Sequence, residues 1–115
     1  MRFRNAIAAA ALVVALPATA HHGWSQYADD RPLTLTGTIT ESSYEFPHGT
    51  IRLQTDDKTW TVVLAPPSRM ANRGLARESL KPGNPATVMG FPHKTVADEL
   101  RAERITLNGL TTELR

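Results

Sequence analysis

Four histidines, His21, His22, His48 and His93, are the residues of this sequence best suited to chemistry. His21 and His22 follow a leader-like stretch, and cleavage between Ala20 and His21 would make His21 the first residue of the processed chain. A terminal histidine offers its α-amine and its ring Nδ1 to one metal ion, closing a chelate. One further imidazole completes a three-nitrogen set. Such sets suit Cu(II), the tightest binder among the divalent first-row metals, with zinc as the alternative. His48 and His93 each end the same tripeptide, Phe46-Pro47-His48 and Phe91-Pro92-His93. The expected metal site is therefore His21, His22 and His48, joined by His93 if the two tripeptide loops converge. Plainer roles stand beside this one. The His-His pair is also what a polar, exposed chain start looks like, and a loop histidine commonly caps its loop by hydrogen bonding to backbone. Asp29 and Glu45 are nearby oxygen donors left outside the expected set.

The leader itself is read from three features. Arg2 and Arg4 give a basic start, Ala6 to Leu16 is an uncharged apolar run, and Pro17-Ala18-Thr19-Ala20 carries the small-residue cleavage pattern of an export signal. The apolar run is shorter than the roughly 20 residues that span a bilayer, so residues 1–20 are expected to be cleaved and the protein to be periplasmic. Processing changes the charge. The chain has 13 Lys and Arg against 11 Asp and Glu, and loss of Arg2 and Arg4 makes the two numbers equal. With no basic run left, nucleic acid is not an expected partner. Cysteine is absent, which removes disulfides, thiolate metal ligands and thiol redox chemistry from consideration.

These histidines need a scaffold, and the clearest element is Leu33 to Thr40. Leu33, Leu35, Gly37 and Ile39 alternate with Thr34, Thr36, Thr38 and Thr40. That period of two predicts a strand with an apolar face and a threonine face. Residues 21–32 read as an irregular arm lying on the domain, anchored by Trp24 and Tyr27. Thr50 to Gln54 is a second strand. Asp56-Asp57-Lys58 turns into a third, whose apolar face is Trp60, Val62 and Leu64. Ser68 to Arg73 is expected to be a short helix, capped by Ser68 and ended by Gly74, with another turn over Leu75 to Leu80. Arg69, Arg73 and Arg77, spaced by four, read as a solvated helix face, with an anion-binding stripe as the sharper alternative. Lys81-Pro82-Gly83-Asn84 suits a type II turn. Ala86 to Phe91 is a fourth strand and Leu100 to Leu107 a fifth, with a bulge near Glu103-Arg104 where the apolar parity changes. Three strands, a short helix and two strands is the order of an OB-fold, a small, partly open five-stranded barrel over residues 33–115. A small β-sandwich is the alternative.

The chain resembles a family of small exported bacterial proteins known only as a domain of unknown function. The resemblance is carried by His21-His22, the strand Leu33-Thr34-Leu35-Thr36-Gly37-Thr38-Ile39, Pro47-His48, Arg73-Gly74, Ser79-Leu80-Lys81-Pro82-Gly83 and Val88-Met89-Gly90. The family usually has asparagine where this chain has Phe46, and usually no histidine at the position of His93. The resemblance implies no activity. A terminal histidine also resembles the histidine brace of copper monooxygenases and of some copper carriers.

No paired carboxylates, nucleophile-elbow serine or glycine-rich phosphate loop is visible, so the protein is expected not to be an enzyme, single-copper oxidative chemistry being the one exception. Two functions remain. One is a periplasmic protein that holds copper or zinc through these histidines. The other is a metal-free envelope domain whose OB-like surface binds a small ligand, a peptide or a partner protein.

Overall fold

The computed structural model describes residues 23–115. Strands β1 (Leu33–Ser43), β2 (Thr50–Gln54) and β3 (Thr59–Val63) form an antiparallel meander. Helix α1 (Pro67–Asn72) and a 3-10 turn at Arg77–Leu80 lead to β4 (Pro85–Pro92), β5 (Glu99–Leu107) and β6 (Leu110–Glu113). The sheet order is β3-β2-β1-β4-β5-β6, and a parallel pairing of β3 with β5 closes the first five strands into a barrel. This is the small all-β barrel that the order of elements predicts. The sandwich alternative fails because one sheet curls onto itself instead of two sheets facing each other.

The period of two in β1 does what it predicts. Ile39 is buried, Leu33 and Leu35 pack against the core, and Thr34, Thr36, Thr38 and Thr40 are exposed. β1 serves two neighbours, pairing with β4 through Leu33–Thr38 and with β2 through Thr38–Ser43. A strand shared this way must bend, and Gly37 sits at the bend. A Cβ there would lie 2.1 Å from the Gln54 carbonyl oxygen, so no larger residue fits without backbone movement. Gly90 does the same on β4, where a Cβ would lie 2.1 Å from the Arg101 carbonyl oxygen.

The expected bulge is present. Met89 faces Arg104 and Gly90 faces Ala102, which leaves Glu103 as the extra residue of β5. Through that shift, Leu100 and Ala102 on one side of Glu103 and Ile105 and Leu107 on the other all reach the same core. Trp60, Val62, Leu64, Met70 and Leu80 complete it.

Two local expectations are corrected. Ser68 does not cap α1: the cap position is Pro66, Pro67 opens the helix, and no side chain bonds the free N–H groups. Proline at the first helical position already has the required φ and lacks one of those N–H groups, so the helix starts one residue early. The helix end is as expected. Gly74 takes φ +86°, and the Leu75 N–H bonds the Met70 carbonyl in the six-to-one closure of a Schellman motif. The second correction is β6, which makes six strands where five were expected. Asn108 (φ 51°) and Gly109 (φ 78°) form a two-residue turn that returns the chain along β5, since both residues tolerate positive φ. Gly83 (φ 98°) and the Asn84 N–H to Lys81 carbonyl bond of 3.3 Å complete the expected turn after the 3-10 segment.

Candidate functional site

Arg101 lies between Leu100 and Ala102, both of which point into the barrel, so its side chain points out through the wall. It is nevertheless only 5% exposed, because the arm covers it. Its cross-strand neighbours Val63 on β3 and Phe91 on β4 share that outer wall and are also buried, outside the main core cluster. Tyr27 and Ala28 of the arm close over the same region. The molecule thus has a second, smaller cluster outside the barrel, roofed by the arm.

The arm is held by main chain as well as by rings. A 3-10 turn at Trp24–Gln26 ends in a single β-bridge from Tyr27 to His93. The Ala28 N–H donates to the Pro92 carbonyl at 2.8 Å, and the Lys94 N–H donates to the Gln26 carbonyl at 2.9 Å. The Tyr27 hydroxyl donates to the Glu99 carboxylate at 2.5 Å. Burial, then that bond and the carboxylate's charge, raise the Tyr27 pKa far above the usual tyrosine range. The phenol therefore stays a donor and a fixed strut. Trp24 meets Tyr27 edge-on at 6.5 Å and Phe91 edge-on at 6.1 Å, the geometry aromatic quadrupoles favour. Trp24 and Tyr27 are thus the arm's anchors, as expected.

Guanidinium groups gather around Trp24. Arg101 Cζ lies 4.5 Å from the indole centroid and Arg115 Cζ 4.3 Å from it, within cation–π range. Burial first, and then the charges of Arg69 and Arg115, push the Arg101 pKa below its usual value; an arginine so placed still carries its charge. Beside this group opens a cleft of about 290 Å³, lined by Trp24, Ser25, Tyr27, Asp29, Phe91, Lys94 and Arg115.

Of the four histidines, His21 and His22 lie outside the described residues. His48 is half-buried in the β1–β2 loop, with its Nε2 3.5 Å from Arg101 Nη2. His93 is turned into its own loop. Its Nδ1 accepts from the backbone N–H groups of Thr95 and Val96, each at 3.1 Å, and its ring meets Tyr27 edge-on at 5.1 Å. The loop-capping role weighed for His48 is instead seen at His93. The matching tripeptides take unlike settings: Phe46 is 86% exposed before a cis Phe46-Pro47 bond, whereas Phe91 is buried within β4. Among the described residues, no three His, Asp or Glu side chains come together in a way that could hold a metal ion. Glu45 lies 3.9 Å from Arg77, and Asp29 lines the cleft.

The arginine series is corrected too. Arg73 and Arg77 are exposed as expected and Arg69 is half-buried, but the three do not share one helix face, because α1 ends at Asn72 and Arg77 belongs to the separate 3-10 turn. Arg69 donates to the Leu114 carbonyl at 3.0 Å, and Arg73 donates to those of Glu113 at 2.7 Å and Arg115 at 3.2 Å. Arg77 stands over the Tyr44 ring. Arg69 and Arg73 therefore tie down the segment that carries Arg115. Arg101 and Arg115 were missed as site residues. An arginine on an outward strand position and one at residue 115 carry no periodicity or motif that marks them.

The chain belongs to a family of unknown function (DUF6152), which matches residues 9–100, in line with the resemblance read from its motifs. No curated protein sequence matches it. Solved structures of similar fold include TiaS in complex with an isoleucine tRNA and ATP, at 21% identity over 77% of this chain with a TM-score of 0.54. TiaS in complex with the same tRNA, AMPCPP and agmatine matches at 20% identity over 70% with a TM-score of 0.52. The chain spans about a fifth of those proteins, 20% and 19%. At such identity the likeness concerns the barrel fold alone.

Proposed function

We propose that this is an exported, non-catalytic binding protein of the periplasm, freed of residues 1–20 and taking up its ligand where the arm meets the barrel. The cleft beside Trp24 carries this reading. It joins aromatic side chains (Trp24, with the buried Tyr27 and Phe91) to long-stemmed cations (Lys94, Arg115), in a lining about as polar as it is apolar. The struts from Tyr27 to Glu99 and from Ala28 to Pro92 hold that floor rigid, so little ordering cost falls on binding. Neutral charge after processing argues against nucleic acid, and the likeness to tRNA-bound TiaS extends to fold only. The test is to record proton–nitrogen correlation spectra of the processed protein against a small-molecule extract of the cell envelope and its fractions. Saturable changes centred on the Trp24 indole, Phe91 and Arg115 are expected. Changes centred on the β2–β3 wall would reject the cleft.

One observation favours a second reading, copper or zinc held through His21 and His48. Trp24 stacks on Arg101, and Arg101 reaches His48, so the arm runs toward that loop three residues after His21. The Arg101 cation beside His48 Nε2 opposes it, since two positive charges compete for one lone pair. Calorimetry with Cu(II) on protein beginning at His21, beside protein with one extra N-terminal alanine, separates the readings. A metal held by the terminal amine predicts at least tenfold weaker binding in the extended protein, about 1.4 kcal/mol. Equal, multi-site binding in both would reject it.

A further inference from the structure

The lining of the cleft specifies more than a position. Its charged groups are Lys94, Arg115 and Asp29, an excess of one positive charge. Arg69 and Arg101 stand behind it, near enough for Arg69 and Arg115 both to depress Arg101, and two carboxylates, Glu99 on the Tyr27 hydroxyl and Glu103 beside Arg115, offset those two cations. Arg115 lies over the Trp24 ring, and its one ion pair is weak. Its Nη1 lies 3.5 Å from Glu103 Oε1, with the two side chains 52% and 23% exposed, a long, wet ion pair of the kind that contributes little. An incoming carboxylate can offer the guanidinium two parallel, charge-assisted hydrogen bonds instead. Lys94 is pinned at its backbone by Gln26 while its side chain stays exposed. Its aromatic lining is Trp24, with small exposed parts of Phe91 and Tyr27. The volume, about 290 Å³, sits at the low end of small-molecule sites, which begin near roughly 300 Å³.

Taking the cleft as the binding site proposed above, we infer that its ligand class is the small aromatic monocarboxylate: one planar apolar ring bearing one carboxylate. The ring lies against Trp24 and Phe91, and the carboxylate is taken by Arg115 with Lys94 beside it. Asp29 sets the limit on charge. With two cations offset by one anion, a monoanion neutralises the cleft, whereas a dianion is left in excess and a cation meets two like charges.

Four probes of one shape test this: benzoate, benzyl alcohol, benzylamine and phenyl phosphate, titrated into the processed full chain and followed by the Trp24 indole and Arg115 signals. Benzoate is expected to saturate a single site, at least tenfold tighter than each of the other three, and to weaken as salt rises. Arg115→Gln with Lys94→Gln, both at exposed positions, should remove that preference, so that benzoate binds no tighter than benzyl alcohol does to the same variant. Denaturant midpoints of the variant and the parent check that the fold is intact. If benzyl alcohol equals benzoate, or benzylamine or phenyl phosphate exceeds it, the cleft remains a ligand site and the carboxylate assignment is overturned. If the probes act only on signals remote from the arm, the cleft reading falls as well.

Discussion

Two parts of the barrel's outer surface are built on opposite plans. On the face made by β1, β4, β5 and β6, Thr36, Thr87, Thr106 and Thr111 stand in register across four strands. Their hydroxyls meet at 3.0 Å between Thr36 and Thr87 and at 2.7 Å between Thr106 and Thr111. Under the arm, the outer wall is buried and carries aromatic rings, guanidiniums and a carboxylate. The threonine wall follows from alternation and pairing alone: every second residue of a strand points out, and β-branched side chains suit a wet pleat. The arm end requires parts that are remote in sequence, Trp24, His48, Phe91, Arg101 and Arg115, brought together by strand pairing and by α1 holding the last residues. Regular surface needs little information to specify. The arm end, the proposed binding surface, is where irregular backbone, a buried charge and the arm's tethers are concentrated.

The contrast can be broken most severely at Tyr27. Replacing it by alanine removes a 1%-exposed ring and the strut to Glu99, which should cost about 3–5 kcal/mol in denaturant unfolding. Trp24→Ala should cost about 2 kcal/mol from lost ring and cation contacts, with faster hydrogen exchange at the Ala28 and Lys94 amides but not in β1. His93→Ala strips the acceptor from two backbone N–H groups and should cost about 1 kcal/mol, read as a lower thermal midpoint. Thr36→Ala on the opposite wall should change stability by about 0.5 kcal/mol or less. A Thr36 effect as large as that of Trp24 would erase the distinction between the two faces.

The smallest effect concerns Glu113, beside the threonine wall. The hydrogen bonds from Arg104 hold its carboxyl below the usual glutamate range. A folded-state pKa below the unfolded one stabilises the fold fully above the ordinary glutamate value of about 4.3, and that contribution fades as pH falls through the folded value. Carboxyl titration by NMR should show the lowered midpoint, and Arg104→Gln should return it to the ordinary range. Both groups are solvent-exposed, so the change in stability should be slight.

How much of this is legible before folding follows the same division. The strands of the barrel, the Glu103 bulge, the helix stop at Gly74 and the turn at Gly83 all have local causes, and each is readable from a few neighbouring residues. The strand β6 has a local cause too, the Asn108-Gly109 turn. Its four residues carry only Leu110 as an apolar member, and that side chain is 75% exposed, so no alternation announces a strand. The candidate site was only half legible. Trp24 and Tyr27 stand out as aromatics in a polar arm, and the histidines stand out by type. What each histidine faces depends on partners tens of residues away, and identical Phe-Pro-His tripeptides came to unlike ends because one ends a paired strand and the other a free loop. Arg101 is buried where Trp24 lies over it and His48 stands beside it, a fact of tertiary structure with no trace around position 101.

The contact between Arg115 and Trp24 has a topological consequence. The side chains of Trp24 and Arg115, at opposite ends of the described chain, touch, so those two stretches of backbone lie within two side chains' reach of each other. A short linker from Arg115 to Gly23 would join them, and new termini could be opened at the exposed Asp56-Asp57 turn without cutting a strand. Such a circular permutant should fold to the same barrel, and a fluorophore on the linker, close to Trp24 and Arg115, would test whether the proposed cleft is occupied.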